Sequence, residues 1–228
     1  MKKTAKFLTL ALALSAGTAT AAQAADFKIG ADLVSSYMFR GSEFGDSPAV
    51  QPAISYTFKD SGIVVGAWGS YAISANTTAS KYRYQEVDLY ATVPVGDLSF
   101  TVTNYYIPTL TEGSEIRSFD FTNDGPNTVE VSAAYAKDNL SLLAAINVAG
   151  LETKNAKYFE AGYKVYDKDG YAAKVVAGAG NENYYAGSTS TRLGLVNVGF
   201  SVAKDKYTGS YVYNPVTEKS NLVFMASF

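Results

Sequence analysis

Glu86 and Asp88 stand two residues apart in the stretch Gln85-Glu86-Val87-Asp88-Leu89-Tyr90. In an extended chain that spacing puts both carboxylates on one face. A pair of carboxylates can divide general-acid and general-base work. The plainer reading is the lining of an enclosed interior, with both acids paired to Lys or Arg on other strands. Lys28, Asp32, Arg40, Glu130, Glu160, Lys164, Lys174 and Arg192 follow the same rule, each lying on the polar side of an apolar/polar alternation. Their mixed signs suit either a structural ion-pair network or a selective lumen. The chain has no histidine and no cysteine. That removes the commonest general base, the commonest metal ligand and any disulfide. No catalytic residue, cofactor or metal site is expected, and the chain does not read as an enzyme.

Other candidate motifs are weak. The stretch from Pro108 to Pro126 carries Glu112, Glu115, Arg117, Asp120 and Asp124. It could constrict a mouth or offer oxygen ligands to a cation, but an ordinary solvated loop is the better reading. Asp167-Lys168-Asp169-Gly170 lacks the glutamate of a calcium loop and reads as a turn. Gly178-Ala179-Gly180 has no predicted helix after it, so it does not indicate nucleotide binding. Asn76-Thr77-Thr78 and Asn139-Leu140-Ser141 are sequons by pattern alone.

The elements that must position the charges are strands. From Phe27 to Arg40 one face reads Phe27, Ile29, Ala31, Leu33, Ser35, Tyr37 and Phe39, and every charge lies on the other. A slip of one residue would turn Asp32 toward the apolar side, so the register is well specified. Similar alternation marks segments near Pro48–Phe58, Tyr82–Val93, Leu98–Thr103, Asn127–Ala136, Leu140–Val148, Tyr158–Val165, Tyr171–Ala177, Thr191–Ala203 and Tyr207–Tyr213, while a further strand near Ile63–Ser74 is apolar or small on both faces. The phase changes near Leu195–Val196, as a β-bulge would make it. The last strand sets Leu222, Phe224, Ala226 and Phe228 on one side, and the chain stops on an aromatic residue.

Short turns such as Lys59-Asp60-Ser61-Gly62 and Lys137-Asp138-Asn139 alternate with mostly longer loops at Gly41–Ser47, Ala75–Lys81, Pro108–Pro126, Gly150–Asn155 and Asn181–Ser190. Alternation of this kind gives an all-β, closed antiparallel up-and-down transmembrane β-barrel with short turns at one end and long loops at the other. The count is twelve strands, ten being the alternative. Only 18% of residues are charged, while 18 tyrosines and 12 phenylalanines suit aromatic girdles at lipid–water boundaries. A soluble lipocalin-like barrel is the rival. The strand number, the low charge and the closing Phe228 weigh against it. With a net charge of −2, nucleic acid is not an expected partner.

Residues 1–24 read as a secretory signal: Lys2, Lys3 and Lys6 precede the apolar Phe7–Leu14, and Ala22-Gln23-Ala24 fits a small-x-small cleavage site. The barrel domain is then 25–228, and the expected location is a cell outer membrane. Expected partners are outer-membrane lipid and lipopolysaccharide, and the outer-membrane assembly machinery, met through the strand ending in Phe228.

Ser35-Ser36-Tyr37-Met38-Phe39-Arg40-Gly41, Pro48-Ala49-Val50-Gln51, Gly66-Ala67-Trp68-Gly69-Ser70 and Glu86-Val87-Asp88-Leu89-Tyr90 resemble, in order and spacing, motifs of the TorF-like porin family. The resemblance runs from about Phe27 to Tyr106 and continues only as a general pattern beyond. Ser36 stands where that family usually has Asp. The resemblance implies an outer-membrane barrel and passive transport; it brings no substrate and no catalytic residues. The functional expectation is a channel for small polar solutes through a lumen lined by Lys28, Asp32, Arg40, Glu86, Asp88, Glu130, Glu160, Lys164 and Lys174. The alternative is a non-conducting barrel with a structural or surface-binding role through its loops.

Overall fold

A computed structural model describes residues 26–45, 47–75, 83–108, 117–122, 125–150 and 155–228. The segment read as a signal, the sequon at Asn76, and Glu112, Glu115 and Asp124 of the long loop lie outside these residues. Twelve strands close on themselves: β1 (Asp26–Val34), β4 (Ala49–Thr57), β5 (Val64–Ala72), β6 (Gln85–Val95), β7 (Leu98–Tyr106), β8 (Asn127–Lys137), β9 (Leu140–Gly150), β10 (Lys157–Lys168), β11 (Tyr171–Asn181), β12 (Leu193–Lys204), β13 (Tyr207–Asn214) and β14 (Lys219–Ser227). Each pairs antiparallel with its neighbours in sequence order, and β14 returns to β1. Two short strands, β2 (Tyr37–Phe39) and β3 (Ser42–Phe44), form a separate hairpin outside this ladder. A five-residue helix, α1 (Glu182–Ala186), sits in the β11–β12 loop. Among the described residues no helix is long and apolar enough to cross a membrane.

The expected alternation sets the two faces of the wall. Phe27, Ile29, Leu33, Leu89, Phe100, Val102, Leu142, Phe159, Val175, Leu222 and Phe224 are all exposed on the outside. Asp32, Gln51, Glu86, Asp88, Thr103, Glu130, Asn147 and Asn197 are buried inside. A chain folded for water would reverse this arrangement. Apolar side chains outward and polar side chains inward is the pattern that a barrel wall has in lipid. The bulge near Val196 is present: Gly178 opposes Asn197 while Ala179 opposes Leu195, leaving Val196 as the extra residue. Further register shifts occur at Val129/Glu130 and at Lys164/Tyr166.

The closing seam is short. Only Asp32–Ser227, Leu33–Ala226 and Val34–Met225 pair across β1 and β14, against nine pairs between β1 and β4. Phe228 extends the seam, exchanging backbone hydrogen bonds with Ala31 at 2.9 and 3.1 Å.

One expected element is corrected. The alternation from Phe27 to Arg40 is not one strand. β1 ends at Val34, where Ser35 ties the chain to Phe224 through its amide and its hydroxyl, both at 2.9 Å. The chain then turns inward as the β2–β3 hairpin. Tyr37 and Phe39 therefore do not face outward: Tyr37 is 4% exposed inside the barrel. Both segments are extended, so they share a period of two, and periodicity alone could not show the break between them.

Candidate functional site

The hairpin is built around its turn. Arg40 and Gly41 both have positive φ, 51° and 88°, and they link Phe39 to Ser42, which pair across the hairpin. Two such residues form the two-residue turn whose twist matches the flanking strands. A Cβ on Gly41 would lie 1.9 Å from the Val196 carbonyl oxygen, so the tip rests directly on β12. The body of the hairpin packs on the opposite wall. Tyr37 stacks against Trp68 of β5 at 5.3 Å and Tyr84 at 5.9 Å, Phe44 against Tyr84 at 5.4 Å, and Phe39 against Tyr105 of β7 at 5.8 Å. Met38 accepts a 3.0 Å contact from the Asn221 amide on β14. The Ser42 hydroxyl donates to the Tyr185 carbonyl of α1. Contacts on β5, β7, β12 and β14 carry the hairpin across the lumen at the long-loop end.

Arg40 leads the tip. Its Nη1 and Nη2 donate to the two carboxylate oxygens of Glu130 on β8, at 2.6 and 2.8 Å, and Nη1 also donates to the Tyr185 hydroxyl at 2.9 Å. The guanidinium carbon lies 4.5 Å from the centre of the Tyr158 ring and 4.7 Å from that of Phe39. Glu130 accepts a further bond from the Tyr105 hydroxyl at 3.2 Å. Tyr158 is held in turn: its hydroxyl donates to Glu160 at 2.7 Å and accepts from Asn197 at 3.1 Å. Burial pushes the Tyr185 phenol up to about 12, with Arg40 pulling against it, so this hydroxyl stays neutral over the working range. The formal negative charge facing Arg40 is then that of Glu130.

Glu86 and Asp88 form a second inward group on β6. Glu86 accepts from the Tyr84 hydroxyl at 2.7 Å. In the cross-strand row it lies opposite Ser70, which accepts from the Gln51 amide at 3.2 Å. Asp88 has no solvent exposure, and both its oxygens lack a hydrogen-bond partner among the described residues. The expected Lys or Arg partner for this pair is not found there. A buried polar group left unmatched in this way is costly.

Of the other expected lining residues, Asp32 and Glu160 lie in the long-loop half of the barrel, as do Glu86, Asp88 and Glu130. Lys28, Lys164 and Lys174 lie toward the short turns. Lys28 is exposed. Lys164 pairs with Asp167 at 2.6 Å and sits opposite Lys174 in register. Arg40 is inward, but from the hairpin tip and not from a wall strand. Arg192 pairs with Glu182 at 2.7 Å beside α1, with its side chain largely in solvent. In the Pro108–Pro126 loop, Arg117 pairs with Asp120 at 2.6 Å, and Asn127 donates to the carbonyls of Ser118 and Asp120. Among the described residues it is the β2–β3 segment that crosses the mouth. A helix does follow Gly178-Ala179-Gly180, contrary to expectation, but these glycines serve packing: a Cβ on Gly178 would meet the Tyr158 hydroxyl at 2.1 Å.

Sequence reasoning missed the aromatic half of the site, namely Tyr37, Phe39, Trp68, Tyr105, Tyr158 and Tyr185. The available signal was Arg40-Gly41, a turn dipeptide flanked by two short alternating runs.

A closed twelve-stranded barrel with an apolar outer band, an ionic interior and an inward hairpin defines a β-barrel of the kind that fits an outer membrane. The chain belongs to a family of bacterial proteins of unknown function, Gcw_chp, whose model matches residues 18–216. No curated protein matches the chain.

Proposed function

We propose that this protein is an outer-membrane channel of the porin type, exported by its N-terminal segment, which passes small polar solutes when the β2–β3 hairpin is displaced. One observation carries the reading: the obstruction is a separate hairpin, not the wall itself. A solid barrel would be filled most cheaply by neutral side chains, since every charge placed inside is desolvated. Here the inner wall keeps Asp32, Glu86, Asp88, Glu130 and Glu160 toward one end and Lys28, Lys164 and Lys174 toward the other. Twelve strands enclose more than the eight whose side chains just fill a barrel, and less than a sixteen-stranded porin. The TorF-like resemblance supports the same reading. The long loops would face the cell exterior, the outward apolar band would meet lipid and lipopolysaccharide, and the strand ending at Phe228 would engage the assembly machinery.

The test is planar-bilayer conductance of the refolded protein. Single-channel steps whose cation preference falls in Glu86→Gln/Asp88→Asn support the channel. The density of hairpin contacts favours a second reading, a non-conducting barrel acting through its loops. A folded barrel that stays silent, alone and after the hairpin is dislodged, would establish that one.

A further inference from the structure

The interior holds a cage for a planar cation, and its present occupant belongs to the chain itself. Two oxygens of Glu130 receive two guanidinium nitrogens in a fork, the Tyr185 hydroxyl takes a third bond, and the Tyr158 and Phe39 rings lie against the cation. A guanidinium fits this set because it is flat and offers several donors in fixed directions. An ammonium is a compact point charge and matches the fork poorly. Glu130, Tyr105, Tyr158 and Tyr185 belong to the wall and to α1, so all four remain when the hairpin leaves; Phe39 departs with it. Tyr158 is oriented by Glu160 and Asn197 independently of Arg40.

The residue type at the turn points the same way. The other non-glycine residues with positive φ in the described chain are Asp138, Asn155, Asp169, Asp205 and Glu218. Arginine is a poor choice for that conformation, which favours Gly, Asn and Asp. What it supplies is a guanidinium at the foremost point of the hairpin.

We infer that the cage is a binding site for small solutes bearing a guanidinium group, and that Arg40 is its tethered competitor. An incoming guanidinium takes the place of Arg40 on Glu130, and the hairpin is released. No covalent step is involved. A short tether holds its ligand at an effective concentration in the millimolar range, so displacement needs solute at roughly that level. The inference rests on the channel reading only where current is measured; the binding itself does not need it.

The experiment uses the full mature chain folded in detergent, with methylguanidinium as probe and methylammonium and sodium at equal ionic strength as controls. Arg40→Ala empties the cage. Methylguanidinium at about 1–10 mM should raise the unfolding midpoint of Arg40→Ala at least tenfold more effectively, by concentration, than methylammonium. It should leave Arg40→Ala/Glu130→Gln unmoved. An equal response to both amines, or a response that survives in the double variant, overturns the site. If Arg40→Ala does not fold, the wild type answers. Methylguanidinium should then speed protease cleavage within Tyr37–Phe44, and no excess over methylammonium overturns the proposal. In bilayers, current through Arg40→Ala should be blocked by methylguanidinium. Selective binding with silent bilayers leaves the site standing and removes the channel. Conduction without selective binding does the reverse.

Discussion

Gly41→Ala is the sharpest test of whether the hairpin closes the barrel. The new methyl carbon would sit 1.9 Å from the Val196 carbonyl oxygen, a backbone atom at the β12 bulge. Relieving that contact requires the tip to retreat by about 1 Å, because close-packed interiors do not absorb such an overlap. The retreat takes Arg40 off Glu130, where the two bonds are now 2.6 and 2.8 Å. Breaking a buried ion pair costs about 3–5 kcal/mol, and the lower figure applies here because water entering behind the hairpin rehydrates Glu130. Placing alanine at a left-handed position adds about 1 kcal/mol. The docked state should lose about 4 kcal/mol, roughly a thousandfold in the ratio of closed to open. The assay pairs open probability in bilayers with protease cleavage at the hairpin, using barrels whose heat-modifiable gel mobility shows the wall to be intact. A folded Gly41→Ala barrel that is as quiet and as protease-resistant as the wild type would refute the reasoning.

Asp88→Asn should leave the barrel at least as stable, since it replaces a buried, unpartnered acid with a neutral group of the same shape; a lower urea midpoint would contradict this. Deleting Phe228 removes two of the few backbone bonds that close the seam and the Lys206 contact on its ring. Assembly into liposomes, followed by heat-modifiable mobility, should slow severalfold while the far-UV spectrum of completed barrels stays unchanged. Thr122 donates twice to Asp120 and holds its carboxyl below the usual carboxylate range. A depressed folded value means that the turn is fully supported above the ordinary value and loosens as pH falls through the depressed one. The protection of the Thr122 amide against exchange, taken relative to its intrinsic rate at each pH, should therefore fall as pH drops below the ordinary carboxylate value, and a flat protection profile would count against that turn.

Much of the wall was legible because strand alternation reports burial on one face, and a consistently apolar exterior makes the pattern strict. The bulge at Val196 could be read from the phase change, since an extra residue flips every later side chain. The Glu86–Asp88 face was right, but its lack of a basic partner was not visible, because pairing depends on which strands meet across the lumen. The hairpin was hidden for a similar reason. Tyr37 and Phe39 continue the apolar rhythm of Phe27 to Leu33 whether they face lipid or other aromatics. Only their neighbours in space, Trp68 and Tyr105, distinguish the two. Tyr158 and Tyr185 come into range of Arg40 through contacts 118 and 145 positions along the chain, beyond the reach of any local pattern.

Those separations also set an order of events. The tip that rests on β12 emerges early in the chain, yet Glu130 lies 90 positions after Arg40 and Asn221 183 positions after Met38. Contacts so remote are entropically slow to form. Until those later strands have formed, the aromatic segment Tyr37–Phe44 has nothing to dock against. It is stowed only when β14 reaches β1 and the cylinder is sealed. Sealing and stowing thus fall at the same late moment, and a defect in either would leave greasy rings exposed.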